Sequence, residues 1–280
     1  MTNLTLFSQI VSKFDRYQFK ELVKRDNSDK FNKGMNSWTH FISMIFCQFS
    51  RSNSLRDIAN GLRSATGNLN HLGIIRAPSK SSISYQNKHR DWKLFRDFYY
   101  KILDELNAEA GFKQIKFKIK SKIYLLDSST ISLCLSLFDW AKYRTAKGAI
   151  KLHTLLDYDG NLPAYINVTV GKVGDNKGAE DIPLVKNSVI VADRYYFDTS
   201  LLNKWDSNDV YFVVRAKVNI KYTTLKELDL PDNRHEHVLK DEIVELTGVN
   251  THKKYPKRLR RVAIYDEKNN QTIELITNQL

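Results

Sequence analysis

The fold of this chain is decided by two short stretches, IYLLDSST at residues 123–130 and VIVADR at residues 189–194. Each is a compact apolar run that ends at an aspartate, Asp127 in the first and Asp193 in the second. A short apolar run bounded by polar residues is typical of a buried strand, and a carboxylate at its end is costly to desolvate unless it has a partner. Taken singly, each aspartate is most simply a cap of the following turn.

The pair of aspartates favours a metal site instead. If the two strands lie side by side, their carboxylates come within reach of shared divalent cations. Mg²⁺ suits such a site, with Mn²⁺ as an alternative, because it binds a few hard oxygens and keeps positions for water and phosphate. Two such ions activate a nucleophile and stabilise the leaving oxygen of a phosphodiester.

The elements around these stretches predict an α/β core. Residues 112–126 alternate apolar and basic side chains and run into Asp127, and residues 150–158 and 163–170 are strand-like and joined by a turn at Asp159-Gly160. A helix is predicted over Thr199–Trp205 and further strands over Val189–Ala192 and Val210–Val214, with a short helix at Gly178–Val185. Three strands joined by hairpins, followed by strand, helix and strand, is the order of a ribonuclease-H-like fold.

The first 110 residues are predicted to be helical, because apolar residues recur at helical spacing. Ser54 and Asp57 have the spacing of a capping box and open a short helix that ends near Gly61. Another helix follows Pro78. This order of a short helix, a connection and a polar, basic helix resembles a helix-turn-helix unit. The alternative interpretation is that these helices only support the structure and do not contact DNA. If the unit contacts DNA, the candidate side chains are Lys80, Tyr85, Lys88 and Arg90.

From Ala216 onward the chain is polar and β-patterned, with no long helix predicted. We therefore predict three parts. They are a helical, candidate DNA-binding domain over residues 1–110, the first part of an α/β core over 111–215, and a β-rich insertion over 216–280.

The composition favours a polyanionic partner. Lysine and arginine number 44 against 31 aspartate and glutamate residues, a net charge of +13. Among polyanionic partners, nucleic acid is the first candidate and an anionic membrane is the second. No apolar run approaches the ~18 residues of a membrane span, and Cys47 and Cys134 lie in apolar runs, so we expect a cytoplasmic protein with reduced thiols.

Basic side chains that could neutralise phosphate also cluster late in the chain, within HKKYPKRLRR at residues 252–261. The candidates there are Lys253, Lys254, Lys257, Arg258, Arg260 and Arg261, and Arg194 beside Asp193 joins them. No zinc-finger spacing and no glycine-rich phosphate loop occurs in the sequence.

These residues resemble a known family. The stretch from Leu125 to Phe197 is similar to the DDE transposases of bacterial insertion sequences, in particular the insertion-sequence-four family, and SLRDIANGLRS upstream and KKYPKRLRRV downstream resemble its helical and β-rich parts. The resemblance implies that Asp127 and Asp193 are the first and second catalytic acids and bind Mg²⁺. It also implies cleavage of double-stranded DNA at the ends of the element, strand transfer into target DNA, a homodimer on paired ends, and a nucleoid location in a bacterium.

The sequence departs from the family at two places. Tyr195 stands where the family commonly has glycine, so the loop after Asp193 is not expected to share the backbone conformation that glycine allows. The family's third acid, a glutamate in a Y-x-x-R-x-x-x-E helix, has no match, because Tyr255 and Arg258 begin the pattern but Val262 stands at the glutamate position. Two alternatives follow: an incomplete transposase, or a truncated protein that binds DNA without cutting it.

Overall fold

The protein is described from a computed structural model. The structure describes residues 6–32, 34–65, 69–108, 121–133, 142–144, 147–160, 162–230, 232 and 236–280. Most of the strand predicted over 112–126, and Cys134, lie outside these ranges. The chain divides into two compact units, Met1–Glu109 and Ala110–Leu280. In the part of the chain described, no helix has the length and apolar character needed to cross a bilayer.

The first unit is helical throughout its described residues. A 3₁₀ turn at Leu69–Leu72 accompanies the α-helices, which are α1 (Leu6–Val11), α2 (Arg16–Arg25), α3 (Ser37–Phe49), α4 (Leu55–Ser64), α5 (Lys80–His89) and α6 (Lys93–Ala108).

Two predicted helix starts in this unit are confirmed by their caps. The Ser54 hydroxyl accepts a hydrogen bond from the backbone N–H of Asp57 at 3.2 Å, and α4 continues to Ser64, beyond the predicted end near Gly61. The Ser79 hydroxyl accepts from the N–H of Ser82 at 3.1 Å and opens α5. Such caps satisfy N–H groups that the first helical turn leaves unpaired.

Aromatic side chains fill much of this unit's interior. The ring of Phe19 on α2 packs against Trp38 on α3 and Phe98 on α6, with centroid separations of 5.3 and 4.9 Å. A second cluster of buried aliphatic residues, including Ile58 on α4 and Ile83 on α5, holds the α4–α5 pair to the body of the unit.

The second unit is built on one mixed sheet. Its elements are β1 (Ile123–Leu133), β2 (Lys142–Arg144), β3 (Lys147–Asp157), β4 (Leu162–Val170), α7 (Asp175–Gly178), β5 (Val189–Ala192), α8 (Thr199–Ser207), β6 (Tyr211–Arg215), β7 (Tyr222–Glu227), β8 (Val238–Leu246), α9 (Val249–Lys254), β9 (Leu259–Asp266) and β10 (Gln271–Thr277). The strand order is β2-β3-β1-β5-β6-β10-β9-β8-β7, and β4 pairs with β3. Strands β1, β5 and β6 are parallel to one another, and the remaining pairs are antiparallel.

Two sequence predictions in this unit were wrong in detail. β1 does not stop at Asp127 but continues to Leu133, because β3 pairs with it along its whole length and supplies the ladder hydrogen bonds. The helix predicted at Gly178–Val185 is absent there, since α7 ends at Gly178 and Pro183 has no N–H to donate to a helix.

One face of the sheet forms the core. Leu201, Leu202 and Trp205 of α8 are buried against side chains such as Leu126 of β1 and Phe212 of β6. The opposite face carries half-buried side chains, among them Leu125, Val191 and Val213. The core therefore lies under α8 and fixes the strands β1, β5 and β6 in position.

The strands after Ala216 extend the same sheet. β10 pairs with β6, with Leu275 opposite Arg215, and β9 and β8 follow outward. Tyr255 and Arg258 lie just before β9, a strand, so they do not begin the helix of the third acid.

Candidate active site

The two predicted acids stand opposite each other on neighbouring strands. β1 and β5 are paired in parallel, with Leu126 opposite Ala192, and Asp127 and Asp193 are the next residues along each chain. Adjacent strands lie about 4.8 Å apart, and residues opposite each other project to the same side of a sheet. Both residues are exposed. The structure thus brings two carboxylates together where the parallel pairing ends.

Asp193 also caps the turn that follows it. Its Oδ1 accepts a hydrogen bond from the backbone N–H of Tyr195 at 2.9 Å and opens a 3₁₀ turn over Arg194–Tyr196. Tyr195 is not among the described residues with positive φ. The loop therefore needs no glycine after the second acid, and the residue that departs from the family pattern fits its backbone without strain.

A third carboxylate approaches from the other face of the sheet. Asp175, the first residue of α7, accepts hydrogen bonds on Oδ1 from the Ser128 hydroxyl at 2.6 Å and from the Lys151 ammonium at 3.0 Å. Ser128 directly follows Asp127, and successive side chains of a strand point to opposite faces. Asp175 therefore anchors β1 and β3 behind the first acid, and its charge is balanced by Lys151.

His153 of β3 completes this anchor. Its ring is fully buried, its Nε2 lies 2.9 Å from the Thr169 hydroxyl, and its Nδ1 lies 3.9 Å from Asp175 Oδ1. A Cβ added at Gly178 would meet the ring at 2.1 Å, so only glycine fits there. Burial lowers the pKa of His153, which keeps the imidazole neutral at physiological pH.

The hydroxyl of Tyr196 is buried within the electrostatic reach of all three carboxylates. Its side chain is 1% exposed, and the hydroxyl has no hydrogen-bond partner of good geometry among the described residues, although Ser128 lies near it. Burial, followed by the negative charges of Asp175, Asp127 and Asp193, raises the pKa of this hydroxyl well above its ordinary value. The phenol therefore stays protonated, as a potential hydrogen-bond donor beside the acid pair.

The acid pair suits a divalent cation of the magnesium type. Mg²⁺ is commonly held by one or two carboxylates and completes its shell with water and phosphate oxygens, and Asp127 and Asp193 offer two exposed carboxylates on one side of the sheet. Within the described ranges, no group of three histidine, cysteine, aspartate or glutamate side chains could hold a metal. Two carboxylates would leave most positions around such an ion to water and phosphate oxygens.

Eight of the predicted DNA-contacting side chains are exposed. In the first unit these are Lys80, Tyr85 and Lys88, which share the outer face of α5, while Ile83 points into the core. In the second unit the exposed set is Arg194, Lys253, Lys254, Lys257 and Arg258, of which Lys257 is engaged by Asp206 at 2.5 Å.

Three predicted contacts are corrected by the structure. The side chain of Arg90 is 3% exposed and donates to Asp29 and to the carbonyl of Met35, so it belongs to the interior of the first unit. Arg261 is buried and paired with Glu242 and Glu274.

Arg260 is the third correction, because its guanidinium makes two hydrogen bonds to Asp241, at 2.8 and 2.5 Å. The prediction counted basic residues in a run, whereas carboxylates on the neighbouring strands neutralise these side chains.

Sequence reasoning did not find Asp175, Lys151, His153 or Tyr196. They are scattered over three elements, and their role depends on pairing between β1 and β3 and on the contacts that α7 makes with these strands. Alternation within IKLHTLLDY could have placed Lys151 and His153 on one face of a strand, but it says nothing of the carboxylate they meet.

Comparison with known families gives two matches along the chain. Residues 118–276, more than half of the chain, match the family described as Transposase DDE domain. Residues 2–75 match a family described as a domain of unknown function, DUF4372.

Curated relatives carry related descriptions. A probable transposase for insertion sequence element IS5377 of Geobacillus stearothermophilus is 24% identical over 71% of this chain and 51% of that protein. The putative transposase y4zB of Sinorhizobium fredii is 22% identical over 72% of this chain and 55% of its own length. A putative transposase for insertion sequence element IS4SA of Synechocystis sp. is 28% identical over 52% of this chain and 41% of that protein. The chain thus spans about half the length of these relatives.

A solved structure of the piggyBac transposase synaptic complex with hairpin DNA aligns with 99% of this chain and 54% of that chain. The TM-score is 0.36 and the sequence identity is 10%, and this likeness is too weak to support a conclusion about the chain.

Proposed function

Because the chain belongs to the transposase DDE domain family, we propose that it forms the DNA-binding and catalytic part of an insertion-sequence transposase, which cleaves DNA at the ends of the element and joins them to a target. The observation that carries the proposal is the register of β1 and β5, in which Leu126 is opposite Ala192, the residues directly before Asp127 and Asp193. Assignment to the insertion-sequence-four family, a dimer on paired ends and a nucleoid location stay predictions.

The core of the second unit is proposed to be ribonuclease-H-like. The strand order β4-β3-β1-β5-β6, with three antiparallel strands followed by two parallel ones, supports this. In such a sheet the carboxyl ends of the parallel strands meet at one edge, and functional groups gather there. The strands from β7 to β10 are proposed to be the β-rich insertion, over residues 216–280.

Asp127 and Asp193 are the residues that would hold divalent cations, Mg²⁺ or Mn²⁺. When bound, such cations activate the attacking oxygen and stabilise the leaving oxygen of a phosphodiester. The protein positions the two carboxylates on rigid, paired strands, and the hydrogen bonds of Asp175 to Ser128 and Lys151 fix β1 behind the first acid. The protonated hydroxyl of Tyr196 lies beside them as a donor.

Double-stranded DNA is the proposed partner. Lys80, Tyr85 and Lys88 present one exposed face of α5, at a spacing that allows one helix to lie along a groove of the duplex. In the second unit Arg194, Lys253, Lys254 and Arg258 are proposed to contact phosphates. These contacts orient DNA without reading its sequence, whereas α5 is the candidate for base recognition.

A second candidate function is favoured by one observation. Within the described part of the chain, no third carboxylate joins Asp127 and Asp193 in a metal-binding group. A protein with two acids could recognise the ends of the element and occupy them without cutting.

The test compares the wild-type gene product with a double variant, Asp127→Asn with Asp193→Asn. Asparagine keeps the shape of aspartate and can still cap the turn at Tyr195, but it lacks the negative charge that Mg²⁺ requires. The matched control is Asp229→Asn, an exposed carboxylate beside β7 at the far edge of the sheet. The substrate is DNA that carries both ends of the gene's own insertion element, and Mn²⁺ binding is measured by calorimetry alongside.

We expect the double variant to lose metal-dependent cleavage and Mn²⁺ binding, to keep its affinity for the DNA ends, and the control to behave as wild type. Undiminished cleavage by the double variant would refute the assigned acids. Loss of DNA binding with cleavage would mean that the aspartates are structural caps. If the wild-type protein binds the DNA ends but does not cleave them with Mg²⁺ or with Mn²⁺, the second candidate function would be established.

A further inference from the structure

A groove of about 390 Å³ lies in the second unit. Its walls are the residues around the start of α8, the loop that follows β6, and the helix α9 with the residue before it. The groove is lined by Lys217 and Lys221 from the loop and by Lys254 from α9, and we call it the lysine groove. All three lysines are exposed.

The lysine groove carries a net positive charge. Among the described residues, none of its three lysines forms an ion pair, whereas several lysines elsewhere in the unit do, namely Lys122, Lys151, Lys186, Lys240 and Lys257. The groove contains one carboxylate, Asp198, whose Oδ1 accepts the backbone N–H groups of Ser200 and Leu201 and so caps α8. Three free ammonium groups around one concave surface favour an anionic occupant.

The position of the groove relates it to the acids. β5 and β6 are parallel, with Ala192 opposite Val214, so Asp193 and the loop that carries Lys217 leave the sheet at the same edge. Phe197, which lines the groove, is four residues beyond Asp193, a reach of at most about 14 Å along an extended chain. Since phosphates follow one another every ~3.4 Å along a DNA strand, the groove is within roughly four nucleotides of the acid pair.

The lining also suits a nucleic-acid backbone better than a small anion. The side chains of Asn219 and Asn250 line the groove beside the lysines and can hydrogen-bond to phosphate or sugar oxygens. The groove is shaped by a turn, in which the N–H of Ile220 donates to the carbonyl of Lys217, and by a helix. Its three lysines give one concave surface several positive charges, which suits a partner that carries several phosphates.

We propose that the lysine groove binds the DNA backbone next to the phosphodiester held at Asp127 and Asp193, with Lys217, Lys221 and Lys254 each contacting a phosphate. This inference rests on the proposed function, because it takes the acid pair as the place where DNA is cut. Arg260 and Arg261 are paired with carboxylates and are therefore not part of the proposed phosphate-binding surface. Lys217 and Lys221, which lie outside the basic segment of residues 252–261, belong to it instead.

The experiment measures binding to a fluorescent duplex from the end of the element over a range of salt concentrations. The test protein carries Lys217→Gln, Lys221→Gln and Lys254→Gln. The control carries Lys172→Gln, Lys226→Gln and Lys268→Gln, which removes the same charge from exposed positions outside the groove. All six side chains are at the surface, so the fold is expected to be unchanged, and circular dichroism checks it. Metal-dependent cleavage by wild-type protein is recorded in parallel.

Each lysine–phosphate contact contributes about 0.9 to the slope of log affinity against log salt concentration. We therefore expect the groove variant to lower the slope by about 2.7, a lysine-to-arginine version of it to restore the slope, and the control to lower it by less than 1.

If the groove variant and the control have equal salt slopes while wild-type protein still cleaves the DNA, the lysine groove does not bind the DNA backbone. The proposed function would then be unaffected. A wild-type protein that neither binds nor cuts the DNA would overturn both.

Discussion

The pair formed by Lys151 and Asp175 gives the sharpest test of how the strand behind the first acid is held. The perturbation is Lys151→Met, which keeps the length and much of the volume of the side chain but removes the ammonium. Asp175 would then keep its hydrogen bond from Ser128 and lose the cation that balances its charge.

The magnitude follows from the burial of the pair. The side chains of Lys151 and Asp175 are 14% and 16% exposed and their charged atoms lie 3.0 Å apart. Exposed ion pairs contribute at most about 1 kcal/mol, and leaving a fully buried charge without its partner costs about 3–5 kcal/mol. For this nearly buried pair we expect a loss of roughly 2–3 kcal/mol in the free energy of unfolding.

A matched control is present in the same unit. Lys186 pairs with Asp209 at 2.8 Å, but the two side chains are 74% and 60% exposed. Lys186→Met removes the same group from a pair of similar geometry, and we expect no measurable change in stability, because solvent already screens this pair. The double variant Lys151→Met with Asp175→Asn should recover part of the loss, because neither charge is then left alone.

The assay is urea unfolding with hydrogen exchange read by mass spectrometry on peptides from β1 and β3. This readout isolates the second unit, whereas tryptophan fluorescence would mix signals from Trp205 with those from Trp38 in the first unit. Equal destabilisation by Lys151→Met and Lys186→Met would refute the reasoning, because burial would then not determine the value of the pair. Additive losses in the double variant would refute the direct coupling of the two charges.

Two further predictions concern His153. Gly178→Ala would bring a Cβ to 2.1 Å from the His153 ring, which Thr169 holds in place, so we expect a loss of about 1–3 kcal/mol in urea unfolding. Gly174→Ala meets only the movable side chain of Asn176 at 2.9 Å and should cost less, and an equal cost would contradict the packing argument. Burial lowers the pKa of His153 below its ordinary value of 6.5, so the unfolded chain takes up the proton first and stability falls as the pH drops through about 6.5. His153→Gln should lose less stability than wild type between pH 7 and pH 5, and parallel pH profiles for the two proteins would exclude His153 as a source of the dependence.

The local elements were largely readable from the sequence. The caps at Ser54 and Ser79, the strands around Asp127 and Asp193 and the helix after Asp198 depend on side chains within a few residues of each other, and periodic patterns report such local preferences directly. The predicted strand ended too early, at Asp127. It continues to Leu133 because β3 supplies the hydrogen bonds there, and a local sequence pattern contains no information about a distant partner strand.

The residues that could carry chemistry were identifiable from the order of amino acids: two aspartates at the ends of apolar runs, a basic helix in the first unit and an excess of positive charge. Which of these residues lie close together became clear from the folded chain. The register of β1 with β5 sets Leu126 opposite Ala192, directly before Asp127 and Asp193. Glu242 on β8 and Glu274 on β10 pair with Arg261 and remove it from the basic surface, whereas Lys217 and Lys221 line a groove without a carboxylate partner among the described residues. The physical reason is that charge and periodicity are properties of neighbouring residues, whereas the pairing and burial of charges depend on strands that are far apart along the chain.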